Sequence, residues 1–203
     1  MPEVDSAGPL RAPRMAWAMA VLTLVVMGGG GWLLMAQVQH RDPLEIVLGP
    51  MHWSAQLPIG IVAGLAIAAI AWRIIAQPTM AEVRARYSTL VSELMPGRWL
   101  HVAVSLSAGI GEELLFRGAL QHWLGIPLTA IVFVALHGYL DPRDKNLLRY
   151  GIFLTVAMCG IGWAAEQFGL LMAMAAHAVI DMVLISKLVA TDGREGGPMK
   201  HTA

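Results

Sequence analysis

"GEELLFRG", residues 111–118, puts Glu112, Glu113 and Arg117 inside a stretch whose flanks are apolar enough to cross a membrane. A charged side chain at the centre of a bilayer costs about 2.5–3.5 kcal/mol even on a lenient insertion scale. Either the segment lies outside lipid, or its three ionisable groups face inward for a purpose. The rest of the chain decides between these readings.

The 203 residues are 57% hydrophobic and 14% charged, with a mean hydropathy of +0.61. A soluble domain carries about 25% charged residues. The charges here are clustered and leave long apolar tracts, most of them near the roughly 20 residues that a transmembrane helix needs, the fourth being short and the third containing the charged motif. Six such tracts are found, at 15–36, 57–75, 99–121, 126–140, 148–166 and 169–189. The fold class is therefore all-α: a polytopic membrane protein of about six transmembrane helices. Net charge is zero, so no basic footprint for nucleic acid is present. The single cysteine, Cys159, sits in an apolar run and reads as a small core residue.

Arg11 and Arg14 precede the first span as they would a signal peptide. Its apolar run is longer than the roughly 7–15 residues of a signal-peptide core, so it is expected to stay as an anchor. Gly28 to Gly31 within it are expected to permit close packing or a kink. With the N-terminus in the cytoplasm, twelve Lys and Arg residues fall on inside segments and only Arg41 falls outside, with Arg117 left in the membrane. That asymmetry is what the positive-inside rule demands. It predicts both termini in the cytoplasm, in the plasma (inner) membrane for a bacterial source.

One segment is expected to lie along the membrane surface. In "TMAEVRARYSTLVSELM", residues 79–95, Met80, Val83, Tyr87, Leu90, Val91 and Leu94 recur at helical spacing. Thr79 and Glu82 after Pro78 form a capping-box pattern, and Pro96-Gly97 ends the run. This predicts an interfacial amphipathic helix. The organisation expected is two transmembrane helices and this interfacial helix over 1–97, a core over 98–190 and a disordered tail over 191–203.

Six buried polar groups need an account: Glu112, Glu113, Arg117, His137, His177 and Asp181. At about 100° per residue, Glu113 and Arg117 lie within about 40° of each other and can pair, whereas Glu112 is turned about 100° from Glu113. One acid neutralises the arginine and the other points elsewhere. At about 1.5 Å per residue, Glu112, His137, His177 and Asp181 fall roughly 12–18 Å along their spans, in one layer of the membrane. His177 and Asp181, four apart, share a helix face. A Glu–Arg pair can be structural glue, and a lone histidine is more often a hydrogen-bonded core residue than a catalyst. Two histidines and two spare carboxylates at one depth are harder to explain by structure alone. Such a set can activate a water molecule by removing its proton and stabilise the oxyanion formed on an attacked carbonyl. The same residues could instead ligate a divalent metal such as zinc.

The order "EELLFR" (Glu112, Glu113, Arg117), "FVALH" (Phe133, His137) and "HAVID" (His177, Asp181) resembles the three signature motifs of the CPBP family. That family comprises the CAAX endoproteases and the bacterial bacteriocin-processing or ABI proteins. The likeness covers roughly residues 98–190. It implies an intramembrane endopeptidase in which Glu112 is the general base and His137 shares the catalytic water. It also implies that His177 and Asp181 stabilise the oxyanion or hold the water, while Glu113, Arg117 and Phe133 shape the site. The resemblance leaves both glutamate-dependent and metal-dependent mechanisms open. HExxH is absent, and Asp181 stands where many members carry asparagine, so this position accepts hydrogen bonds but does not donate them when ionised. The partners implied are the lipid bilayer and a membrane-associated peptide or protein substrate. A non-catalytic scaffold or immunity protein, or a proton-coupled transporter, are the alternative readings.

Overall fold

The computed structural model describes residues 11–195, and among them only helices and turns occur. Five helical stretches are long and apolar enough to cross a membrane: Pro13–Val38, Trp53–Ile75, Arg98–Leu136, Lys145–Phe168 and Leu170–Thr191. We label the first α1 and the short helix Pro43–Leu48 α2. Trp53–Ile75 is α3 and Ala81–Leu94 is α4. Arg98–Glu113 is α5, continued by a wider-wound π stretch over Leu114–Leu120. Gln121–Leu136 is α6, Lys145–Phe168 is α7 and Leu170–Glu195 is α8. The chain is an integral, multi-pass membrane protein.

The third stretch contains two passes, because it is folded back on itself. Gly125 has φ 70° and ψ 170°, a region essentially reserved for glycine, and Pro127 restarts the helix two residues later, in the first turn where a missing N–H costs nothing. Contacts on either side pair up antiparallel around that bend. Phe116 meets Phe133 edge-on at 5.0 Å between ring centres, and Glu112 lies beside His137. The two helical legs expected here are present, but the second is shorter than the expected 126–140, since the helix stops at Leu136. Eleven residues rise only about 16 Å, half of a bilayer core of about 30 Å.

That early stop is built into the sequence. Gly138 takes φ 78°. Its N–H donates to the Ala135 carbonyl at 2.9 Å, and the Tyr139 N–H donates to Val134 at 3.3 Å. This is the left-handed closure that satisfies the last carbonyls of a helix. His137 Nδ1–H donates to the Phe133 carbonyl at 2.8 Å and satisfies another. Irregular backbone at membrane depth is tolerated where protein covers it. Tyr139 follows this rule, packed against Gly151 of α7, whereas Gly138 and residues 141–143 are exposed. Asp144 then caps α7, accepting from the N–H groups of Asn146 and Leu147 at 3.0 Å each.

The N-terminal helices form walls around this hairpin. At Gly31 a Cβ would sit 2.6 Å from the Leu114 backbone, and at Gly111 2.6 Å from Thr23. The expected close packing therefore occurs at Gly28 and Gly31, where α1 crosses the back of α5 one residue from Glu112, while Gly29 and Gly30 face open space. The π stretch that begins there frees carbonyls from the regular ladder. Gln39 Nε2 donates to Ala119 at 2.8 Å and Arg41 Nη1 to Gly118 at 3.3 Å, recovering two of them. Buried Gln56 ties the α2 segment to α8, donating to the Leu48 and Met51 carbonyls and accepting from the Met172 N–H.

Two expectations need correction. Thr79 and Glu82 do not cap α4. A 3-10 turn over Pro78–Met80 intervenes, and Met80 occupies the N-cap position with no side-chain hydrogen bond. The helix α8 runs to Glu195, past Thr191 where a disordered tail was expected to begin. The rest of that tail, 196–203, lies outside the described residues. The amphipathic helix itself is present, as α4. It turns Val83, Arg84, Tyr87 and Val91 towards the bundle, and its buried Ser88 donates to the Leu188 carbonyl of α8.

Candidate active site

The three motifs meet. Glu113 is fully buried, and its Oε1 receives two hydrogen bonds, from Arg117 Nη1 at 2.8 Å and from His177 Nδ1 at 2.8 Å. The intrahelical pair expected from four-residue spacing is thus formed, and Glu113 also reaches across to α8. Oε1 accepts from the guanidinium, and the bond to His177 is formed with Nδ1 as its donor. The ring orientation of His177 is thereby fixed, with Nε2 aimed at the remaining groups. Nε2 lies 3.9 Å from Glu112 Oε2 and 3.6 Å from Asp181 Oδ2.

His137 arrives from the other side. A backbone carbonyl can only accept, so the bond to Phe133 places the proton on Nδ1 and leaves Nε2 facing Glu112 Oε2 at 3.6 Å. With Glu112 ionised and the imidazole neutral, both of these atoms are acceptors. They face each other at a distance too long for a direct hydrogen bond, and Glu112 Oε2 is buried with no hydrogen-bond partner. An arrangement of acceptors converging on one point suits a molecule that brings its own protons, which is what a water molecule does.

Phe133 is the packing centre of the cluster. Its ring lies 4.5 Å from that of His137, 5.5 Å from that of His177 and 4.5 Å from the Arg117 guanidinium carbon. The cation over the ring face is a favourable contact, strengthened by desolvation. Four of the expected residues, Glu112, His137, His177 and Asp181, therefore share one locus. Glu113, Arg117 and Phe133 form the support behind it.

Exposure divides the locus. The side chains of Glu113 and Arg117 are 0% and 1% exposed, those of Glu112, Asp181 and His137 are 13%, 31% and 36% exposed. The open side faces a cavity of about 250 Å³ beneath α4. His137, His177 and Asp181 supply its polar floor, and apolar side chains such as Val91, Leu154, Ile180 and Leu184 supply its walls.

Sequence reasoning missed Tyr139, which stacks on His137 at 6.1 Å and 14° between planes. It is met edge-on by Tyr150 at 5.3 Å and approached by Tyr87 at 6.2 Å. The signal was the glycine at 138. It marks the chain reversal that returns Tyr139 to the site. Gln121 was missed as well. It donates to the Gly162 carbonyl at 3.0 Å and to Glu166 at 2.8 Å, locking the outer part of the hairpin to α7.

The donor set was tested for the metal that the motifs left open. Two ligands at about 2.1 Å in a tetrahedron lie roughly 3.4 Å apart, closer than the separations of 3.6 and 3.9 Å from Glu112 to the two histidines. Among the described residues no group of three His, Cys, Asp or Glu side chains is arranged to hold a metal ion.

Comparison with known proteins adds independent support. Residues 93–183 match the family model of type II CAAX prenyl endopeptidase Rce1-like proteins. A lipoprotein signal peptidase of Methylobacterium radiotolerans is 38% identical over 100 residues, covering 49% of this chain and 54% of that protein. The chain thus spans about half the length of the curated relative it matches. No solved structure matches. All the residues of the three motifs lie within the matched segment, and over residues 93–183 the chain carries the likeness to the CAAX-type endopeptidase family that its motifs express.

Proposed function

We propose that this protein is an intramembrane endopeptidase that hydrolyses a peptide bond of a membrane-associated peptide or protein. The observation that carries this reading is the pair of opposed acceptors, Glu112 Oε2 and His137 Nε2, 3.6 Å apart, with the histidine lining an apolar cavity. Glu112 takes a proton from a water molecule held between them. The resulting hydroxide attacks the scissile carbonyl carbon, and the carbonyl π electrons move to oxygen. His177 and Asp181 stand beside that oxyanion and the water. His177 serves the oxyanion in its doubly protonated form, with Nε2–H as donor, while Asp181 holds the water by accepting from it. Collapse of the intermediate expels the amine, which takes the proton from Glu112 as the C–N bond breaks. Glu113 and Arg117 position His177 without touching substrate.

The cavity walls suit an apolar peptide segment delivered from the bilayer. The basic residues support a cytoplasmic opening, since Arg84 of α4, Lys187 of α8 and the starts of α5 and α7 gather at that end. Arg84 donates to the Ile75 carbonyl and Lys187 lies 5.2 Å from the Trp72 ring. In this reading both termini are cytoplasmic, 98–190 is the catalytic core, and the helices before it are its wall and roof.

Purified protein in lipid nanodiscs, given apolar membrane-anchored reporter peptides, tests the proposal. Glu112→Gln lowers kcat by about 10²–10⁴-fold, the usual contribution of a general base, and chelator leaves wild-type turnover unchanged. Equal cleavage by wild type and Glu112→Gln would remove Glu112 from the chemistry and the proposal with it.

A further inference from the structure

Hydrolysis consumes one water for every bond cut, and an apolar substrate segment in the cavity beneath α4 stands in the way of its resupply. The structure contains a second cavity, of about 240 Å³, at the opposite end of the bundle. Its lining is polar where it matters: Arg41 and Glu45 of the α2 segment, Glu166 of α7, and Arg117. On the hydrolytic reading above, we propose that this second cavity is the water inlet of the site, feeding it across a thin septum made by Arg117 and Glu113.

Three observations support the connection. Arg117 is one of the residues lining the second cavity, and its guanidinium holds Glu113, which holds His177. One residue therefore borders the inlet and the catalytic cluster together.

The septum is thin. The cavity beneath α4 reaches Met158 on α7 and His177 on α8, and the second cavity begins at Ala165 and Leu170 on the same helices. Seven residues separate the cavities along each helix, a rise of about 10 Å. About three hydrogen-bonded waters, spaced at about 2.8 Å, bridge that length.

The septum also carries a place for water to bind. Glu113 Oε2 is buried with no hydrogen-bond partner, although Oε1 beside it accepts two. Buried polar atoms in that condition are where ordered waters are held. At the mouth, Arg41 donates to Gln39 and to the Gly118 carbonyl, and Glu166 accepts from Gln121. These partners hold the charged rim open, and α1 and α2 supply the wall.

The test blocks the inlet without touching the catalytic groups. Exposed Glu45 is changed to Cys in a Cys159→Ala background, and the full-length folded protein in nanodiscs is labelled there with a bulky aromatic disulfide-forming reagent or with a methylthio group. The bulky label lowers kcat for the reporter peptide about tenfold or more, equivalent to at least about 1.4 kcal/mol of barrier. KM is unchanged, the methylthio label has little effect, and reduction restores turnover. Ala165→Trp, which fills the same cavity from α7, reproduces the kcat loss. Full labelling with kcat unchanged would overturn the inlet, as would a rise in KM at constant kcat, which marks a substrate route instead. Activity retained by Glu112→Gln would bring down the hydrolytic reading itself, a result this labelling series does not produce.

Discussion

The polar cluster has a sealed side and an open side, and two neighbouring residues belong to opposite ones. Glu113 is fully buried, with one carboxylate oxygen accepting from both Arg117 and His177. Glu112 stands beside His137 with its side chain 13% exposed, and its buried Oε2 has no hydrogen-bond partner at all. The same side chain thus serves two purposes one residue apart, because a helix turns about 100° per residue and only one of the two directions meets an arginine. The sealed side spends stability on holding a histidine still. The open side keeps its bonding capacity for water and substrate.

Removing a partner on the sealed side breaks this comparison most severely. Arg117→Ala or Glu113→Gln leaves a buried charge uncompensated, and each is expected to lower stability by about 3–5 kcal/mol. Thermal unfolding in detergent measures it, and the double variant Glu113→Gln/Arg117→Met recovers part of the loss. Stability equal to wild type in either single variant would show that the sealed side does not depend on this ion pair.

Gln121→Leu tests the support behind the hairpin, by leaving Glu166 and the Gly162 carbonyl without their shared donor. A cost of about 1–3 kcal/mol is expected, with kcat changed less than KM since the site itself is untouched. Gly125→Ala strains the fold-back at φ 70°, with an expected cost of about 1–3 kcal/mol. Because the bend sets the register between Glu112 and His137, turnover falls with it.

The smallest stability effect sharpens the comparison. Glu112→Gln is nearly isosteric and removes no hydrogen bond from Oε2, so its unfolding free energy shifts by less than about 1 kcal/mol, as substitutions clear of named stabilising features do. Turnover is nevertheless abolished to within the range given above. Adjacent Glu→Gln changes, one costing fold and the other costing chemistry, constitute the measurement. Equal destabilisation by both would erase the distinction between the two sides.

Much of this was legible in the residues. Long uncharged tracts require helices in lipid, because an unpaired backbone group there costs several kcal/mol. Four-residue spacing requires Glu113 and Arg117 to meet, and depth counting put Glu112, His137, His177 and Asp181 in one layer. The capping pattern at Thr79 misled, since the helix can begin only after the turn that Pro78 starts. The extent of the fourth span misled too, because apolar character continues past the point where Gly138 closes the helix. The stacking of Tyr139 on His137 depends on that closure and was invisible without it.

By itself the sequence determined that the chain is helical and membrane-embedded, which groups are too costly to face lipid, and which of them share a helix face. These follow from local geometry and from solvation, and both are properties of short segments. Tertiary structure decided that Glu113 serves His177 as well as Arg117, that His137 presents Nε2 rather than Nδ1 to Glu112, and that cavities approach the cluster from both ends of the bundle. Those depend on distances between residues remote in sequence, 64 positions for Glu113 and His177, set by where α1 lets its backbone touch α5 and where Gly125 turns the chain. Packing of remote surfaces fixes such distances, and no local rule contains them.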